Sequence, residues 1–235
     1  MPAKIKRILK NIQKTIFREK KKNVQHISLC DGISPVSSVF GFDRGTPIDR
    51  YYINQFLSDN KSKITGVCCE IAEDTYCKKW GHNITKQEIL HYDDTNPVAT
   101  IVGDLTDPET LPINQLDCLV CTQTFNFIYN VKAAFAGACQ MLKPGGVLLA
   151  TVAGLSQISR YDMVRWGDYW RFTDLSLKRM AEESGFKNVQ VKIYGNAMSA
   201  TAFVQGIAVE DLKDVSLLDE HDDDYQVTLG LTAIK

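Results

Sequence analysis

Glu70, Glu88 and Asp104 are the residues whose types and spacing could do chemistry together. Glu70 lies in the apolar run Val67–Ile71, Glu88 stands eighteen residues further on, and Asp104 closes the run Val98–Val102. Parallel strands joined by right-handed crossovers bring such ends side by side on one sheet edge. An acid after the second strand accepts hydrogen bonds from a ribose diol, and one after the third can accept from an exocyclic amine. Together they suit an adenosine-type ligand. The competing reading is that each acid only caps the helix that follows its strand. The turn after the first strand lacks the Gly-rich fingerprint of a dinucleotide or phosphate cradle, which disfavours a nicotinamide-dependent enzyme.

Two further clusters are dense in polar and aromatic side chains. Phe40-Gly-Phe-Asp-Arg-Gly-Thr-Pro-Ile-Asp-Arg-Tyr-Tyr brings Arg50 and Tyr51 to the start of a helix, as ligand contacts or as a structural cap. The second cluster runs from Arg160 and Tyr161 through Asp162, Arg165, Trp166, Asp168, Tyr169 and Trp170 to Arg171. Aromatic faces flanked by acids and arginines suit a sugar or sugar phosphate. Trp170 and Phe172 fit equally well as core anchors, with Arg171 bridging to an acid or a carbonyl. His221 sits in Glu220-His-Asp-Asp-Asp, which reads as a solvated acidic loop, so no metal is expected there. Cys118-Leu-Val-Cys121 would point its sulfurs to opposite sides of a strand, which favours buried thiols over zinc or redox chemistry.

The elements that must position these residues alternate. Val67–Ile71, Ile84–Tyr92, Val98–Val102, Leu116–Thr122 and Val147–Val152 read as strands. Thr46 is the expected N-cap of a helix beginning at Pro47. Further helices are expected over Val131–Leu142, stopped by Lys143-Pro-Gly-Gly, and over Leu175–Ser184, closed by Gly185. Val189–Tyr194 and Tyr225–Ile234 are two last strands, split by an apolar helix around Ala197–Ala208. This predicts an α/β fold, Rossmann-like, with a mostly parallel seven-stranded sheet and an antiparallel pair at its C-terminal edge.

The chain has 235 residues and a net charge of −1, which argues against recruitment to nucleic acid by bulk electrostatics. That balance hides nine lysines and arginines in residues 1–22, against Glu19 alone. Ile5, Ile8, Leu9, Ile12 and Ile16 would share one face of a helix over residues 3–22. Such a basic amphipathic helix suits an anionic membrane surface or a partner protein. The expected division is a basic arm over 1–23 and one domain over 24–235. Seven irregularly spaced cysteines suit a reducing, cytoplasmic setting, with the arm placing the protein at the inner membrane face.

Three strings give the chain a family likeness: Ile101-Val-Gly-Asp-Leu-Thr, Cys121-Thr-Gln-Thr-Phe and Leu142-Lys-Pro-Gly-Gly-Val-Leu-Leu-Ala-Thr-Val. They resemble class I S-adenosylmethionine-dependent methyltransferases of the type 11 group. Residues 40–52 and the string Ser159-Arg-Tyr-Asp-Met through Thr173 are similar to bacterial members encoded with polysaccharide glycosyltransferases. The resemblance covers about residues 35–235. It implies that Glu70, Ile71, Ala72, Glu73 and Tyr76 form the loop around the methionine end of the cofactor. It further implies Glu88 for the ribose, Asp104 and Leu105 for the adenine, and Thr122 and Gln123 facing the methyl group and acceptor. Ala72 stands where the family has Gly.

The expectation is therefore S-adenosylmethionine-dependent O-methylation of a sugar hydroxyl in glycan or polysaccharide synthesis. Asp168 is the candidate base for the hydroxyl proton, with His221 second. Arg50, Tyr51, Arg160, Tyr161, Trp170 and Arg171 are the candidate acceptor contacts. The alternative expectation, prompted by Ala72, is a non-catalytic scaffold of the same fold, working with a glycosyltransferase or at a membrane.

Overall fold

A computed structural model describes residues 32–235, so the expected arm over 1–23 lies outside the described residues. Seven strands form one sheet: β1 (Gly66–Ile71), β2 (Ile84–His91), β3 (Ile101–Val102), β4 (Leu116–Thr122), β5 (Leu142–Ala153), β6 (Lys187–Tyr194) and β7 (Thr228–Ile234). Their order is β3-β2-β1-β4-β5-β7-β6. The pairs among β1 to β5 are parallel, and β7 runs antiparallel to both β5 and β6. The antiparallel C-terminal pair is as expected, with β7 inserted inside β6.

The central strands are apolar on both sides because both faces are covered. Side chains alternate with period two. Cys69, Leu119, Cys121 and Leu148 enter one core, and Cys68, Cys118, Val120 and Leu149 enter the other. Cys118 and Cys121 thus sit on opposite faces as buried free thiols. The first core is closed by α3 (Val131–Met141) and α5 (Asp174–Glu183). The second is closed by α1 (Ile48–Asp59), α2 (Thr75–Trp80) and α6 (Ala197–Val204). A sixth helix, α4 (Arg160–Arg165), stands outside both cores with no buried residue.

Local chemistry sets the element ends. Thr173 with Ser176, and Asn196 with Ser199, form reciprocal capping boxes at α5 and α6. Two boundaries differ from expectation. Pro47, not Thr46, is the residue before α1, because Glu210 claims both the backbone N–H and the hydroxyl of Thr46. Lys143-Pro-Gly-Gly does not turn the chain outside the sheet. It is an irregular stretch within β5, pinned by Lys143 on Asp117 at 2.8 Å and by bonds between Gly145, Gly146 and Lys235.

Candidate active site

The carboxyl ends of β1 to β5 open into one cavity of about 1140 Å³. Its floor is the β1 turn at Ile71–Glu73, the β2 end at Leu90–Tyr92, the β3 turn at Gly103–Thr106 and the β4 turn at Thr122–Thr124. Segments 38–50 and 156–171 form its walls. This is the crevice where open α/β sheets take their ligands.

The β1 turn is shaped by an alanine in a glycine's conformation. Ala72 has φ 65°, its N–H donates to the Leu90 carbonyl at 2.9 Å, and its carbonyl accepts from Asn96 Nδ2 at 2.8 Å. The left-handed region costs an L-residue about 1–2 kcal/mol, a cost these two bonds help to offset. Gln123 at the end of β4 is likewise left-handed at φ 50°. Its backbone N–H is fixed on the Thr151 carbonyl at 2.7 Å, while its buried side-chain Nε2 has no partner.

Asp104 borders the adenine side expected from the resemblance. One carboxylate oxygen accepts from the Thr106 N–H at 2.7 Å and the Thr106 hydroxyl at 2.9 Å, closing a small turn. That turn holds the carboxylate at the cavity edge beside buried Leu105. Behind Leu105 lies Gly137 of α3, where an added Cβ would collide with the Leu105 carbonyl oxygen. Gly137→Ala should therefore lower stability by about 1–2 kcal/mol despite alanine's better helix propensity. By pushing the Leu105 backbone it should also weaken nucleoside binding. A thermal melt and an S-adenosylhomocysteine titration check both effects.

Several expected residues are placed elsewhere. Glu70 does not line the cavity: it turns back and caps α2, accepting from the N–H groups of Tyr76 at 3.0 Å and Cys77 at 2.9 Å. Burial pushes its carboxyl up to about 7, against those bonds. Glu88 is not at a strand end either. β2 runs three residues further to His91, which leaves Glu88 in mid-strand and paired with Lys86. Burial pushes its carboxyl up, but bonds from Lys86 and Thr100 outweigh that and hold it below the usual range. His91 and Tyr92 take its place in the cavity wall.

The two candidate bases are also reassigned. His221 packs edge-on against Tyr52 and Tyr194, 6.0 and 5.2 Å between ring centroids, outside the cavity lining. Asp168 borders the cavity, but its side chain is fully buried and accepts three hydrogen bonds. Arg171 grips it with both arms, at 2.5 and 2.9 Å, and the Ser159 N–H adds a third bond at 2.9 Å. Burial would raise its carboxyl; those partners hold it below the ordinary value. Such a group is a clamp, not a base.

Among the candidate acceptor contacts, Arg50, Arg160, Tyr161 and Arg171 border the cavity. Tyr51 faces away and donates to Asp219 at 2.9 Å. Trp170 anchors on the carbonyls of Ile128 and Tyr129, at 3.1 and 3.2 Å. The fold adds two rings that the sequence did not single out to Trp166 and Tyr169 of the second cluster: Tyr92 meets Trp166 edge-on at 5.1 Å, and Tyr129 meets Tyr169 at 5.3 Å. Asn126 is buried, and its carbonyl accepts from Tyr169 and Trp170, tying the β4 turn to the outer wall. Asp49 also lines the cavity, a position hinted at only by its place beside Arg50 in the 40–52 string.

Residues 56–150, which span β1 to most of β5, match the family described as a methyltransferase domain. That match covers 95 of the 235 residues. The fold is similar to that of a SAM-dependent methyltransferase from Archaeoglobus fulgidus, with a TM-score of 0.51 at 10% identity over 79% of this chain and 94% of that one. It is also similar to phosphoethanolamine N-methyltransferase 2 of Haemonchus contortus in complex with S-adenosyl-L-methionine, with a TM-score of 0.51 at 16% identity. That match covers 88% of this chain and 54% of the other. The [4+2]-cyclase SpnF shares the fold as well, with a TM-score of 0.53 at 13% identity over 82% and 84% of the two chains. No curated protein sequence matches the chain. The cavity's own chemistry fits S-adenosylmethionine. The unpartnered Gln123 Nε2 offers a donor, and Asp104 offers an acceptor at the edge where an exocyclic amine would lie.

Proposed function

We propose that the chain is an O-methyltransferase that uses S-adenosylmethionine to methylate a sugar hydroxyl of a glycan or polysaccharide precursor. The carrying observation is the mouth of the cavity. Tyr92, Tyr129, Tyr161, Trp166 and Tyr169 all line it and are 40–72% exposed. Exposed rings in one concave wall suit the aliphatic faces of a pyranose, which stack while the hydroxyls bond at the edges. Arg160 and Arg165 stand among these rings, and neither makes an ion pair among the described residues. They favour an acceptor that carries negative charge, such as a sugar phosphate.

When bound, the cofactor supplies a methyl group already activated on a sulfonium, so the protein's work is alignment and exclusion of water. Asp104 and the Leu105 backbone would hold the adenine. The β4 turn, made rigid by Asn126 and the Gln123 backbone, sets the floor where the acceptor hydroxyl arrives. The 156–171 wall, locked by Asp168 and Arg171, keeps the stacked acceptor out of bulk water. Ala72 adopts the backbone conformation that glycine would take, which favours a working cofactor loop over the scaffold reading. The basic segment over residues 3–22 would bring the enzyme to an anionic membrane surface or a glycosyltransferase. Among the described residues no helix is long and apolar enough to cross a membrane.

Calorimetric titration of S-adenosylmethionine tests the reading. Asp104→Asn retains an oxygen for the Thr106 turn but puts a second donor opposite the adenine amine. It should weaken binding about tenfold or more, because an unpaired polar group costs about 1–3 kcal/mol. Binding by the parent protein would justify an acceptor screen among sugars and sugar phosphates. No binding by folded protein would favour the scaffold.

A further inference from the structure

We propose that Asp49 and Arg50 form a two-point clamp for the amino-acid end of S-adenosylmethionine, replacing the backbone contacts that a glycine-rich β1 turn would offer. The inference rests on the cofactor reading above and adds to it the residues that recognise one half of the molecule.

The two residues are consecutive in the first turn of α1, and both line the cavity. α1 is held rigidly, with Ile48, Tyr52, Ile53, Phe56 and Leu57 buried beneath it. Asp49 gives one carboxylate oxygen to Arg50 Nη1 at 3.1 Å. Its other oxygen is buried and has no hydrogen-bond partner. A half-satisfied buried carboxylate is costly unless something cationic completes it. Burial pushes the Asp49 carboxyl above its ordinary value, against the pull of Arg50 and of the backbone N–H groups of Arg50 and Asp49. Arg50 spends one donor on Asp49 and lies 5.7 Å from the centre of the Phe42 ring. Its remaining donors suit a carboxylate, which guanidinium binds as a fork.

The β1 turn shares this cavity and has little to give in their place. The Ala72 N–H is spent on Leu90 and the Glu70 carboxylate on the start of α2. Glu73 engages the Thr75 hydroxyl at 2.9 Å. Tyr76, on the same cavity wall, feels the charges of both Arg50 and Asp49, which places the pair beside this turn. A free amino acid carries an ammonium and a carboxylate on one carbon. An acceptor lacking a cation, next to a guanidinium with donors to spare, is complementary to both.

Two ligands separate the clamp from the nucleoside site. S-adenosylhomocysteine carries the amino-acid end, and 5′-methylthioadenosine is the same nucleoside without it. Both are titrated calorimetrically into the full chain and into Asp49→Asn and Arg50→Gln. The expected result is at least a tenfold loss of S-adenosylhomocysteine affinity in each variant, since hydrogen bonds to charged groups are the strong ones. Methylthioadenosine affinity should stay within about twofold, which also shows that the variants are folded. Unchanged S-adenosylhomocysteine affinity, or parallel loss of both ligands, would overturn the clamp and leave the cofactor reading standing. Binding of neither ligand by the parent chain would overturn both.

Discussion

Asp168→Ala should cost about 3 kcal/mol of stability, and Arg171→Ala a comparable amount. Each leaves the other partner of a largely buried, doubly bonded pair without its counter-charge, and breaking such pairs costs about 3–5 kcal/mol. The lower end applies because Arg171 is 29% exposed and keeps bonds to the carbonyls of Gln157 and Trp170. For a chain of this size that corresponds to a fall in Tm of roughly 6–12 °C. The pair closes the loop bearing Arg160, Tyr161 and Trp166, so loss of acceptor binding should follow from either change. That equivalence separates a clamp from a base. Arginine cannot take the hydroxyl proton, so a base role predicts that Asp168→Asn loses turnover while Arg171→Ala largely keeps it. Thermal melts with initial rates on both variants decide the matter.

A second large effect lies in the pH dependence of stability. Burial lifts the Glu70 carboxyl from 4.5 to about 7 in the folded chain, despite the two N–H groups it caps. The folded state therefore holds this proton at pH values where the unfolded chain has released it. The resulting stability is fully present below about pH 4.5 and is lost as pH rises to about 7. A shift of this size is worth roughly 3 kcal/mol. Glu70→Gln keeps an oxygen for the Tyr76 and Cys77 N–H groups and removes the ionisation. The parent should lose stability relative to this variant between pH 5 and 7.5, measured by urea denaturation at matched ionic strength. A difference that stays flat across that range would show that Glu70 is ionised at no cost. The effect reaches the site because α2 starts from this cap, and Tyr76 of α2 borders the cavity beside Asp49 and Arg50.

The fold itself was written in local patterns. Two-residue alternation and continuous apolar runs set all seven strands, because a strand covered on both faces must be apolar throughout. Gly185 acts within one helical turn, so the C-terminal end of α5 was legible, whereas the Thr173 and Asn196 caps came only with the structure. The strings at 40–52 and 159–173 marked the two cavity walls by their density of charge and aromatic rings.

Which side chain does what was decided elsewhere. Glu88 looked like a strand-end acid because apolar spacing does not say where a strand stops; pairing of β2 with β1 and β3 carried it on to His91. Glu70 looked like a ligand contact until the first turn of α2 supplied two N–H donors for its carboxyl group. Asp168 and Arg171 stand only three residues apart, but Ser159, buried around them, turns a plausible base into a clamp. Tyr92 and Trp166 lie far apart in sequence and become a pair only when β2 and the outer wall meet. Sequence alone determined the sheet and the segments around its carboxyl edge, because those follow from local burial and turn chemistry. Only the tertiary structure decided which polar atoms there were already satisfied and which, like Asp49 Oδ1 and Gln123 Nε2, were left without partners, because satisfaction depends on groups that the chain brings together from far apart.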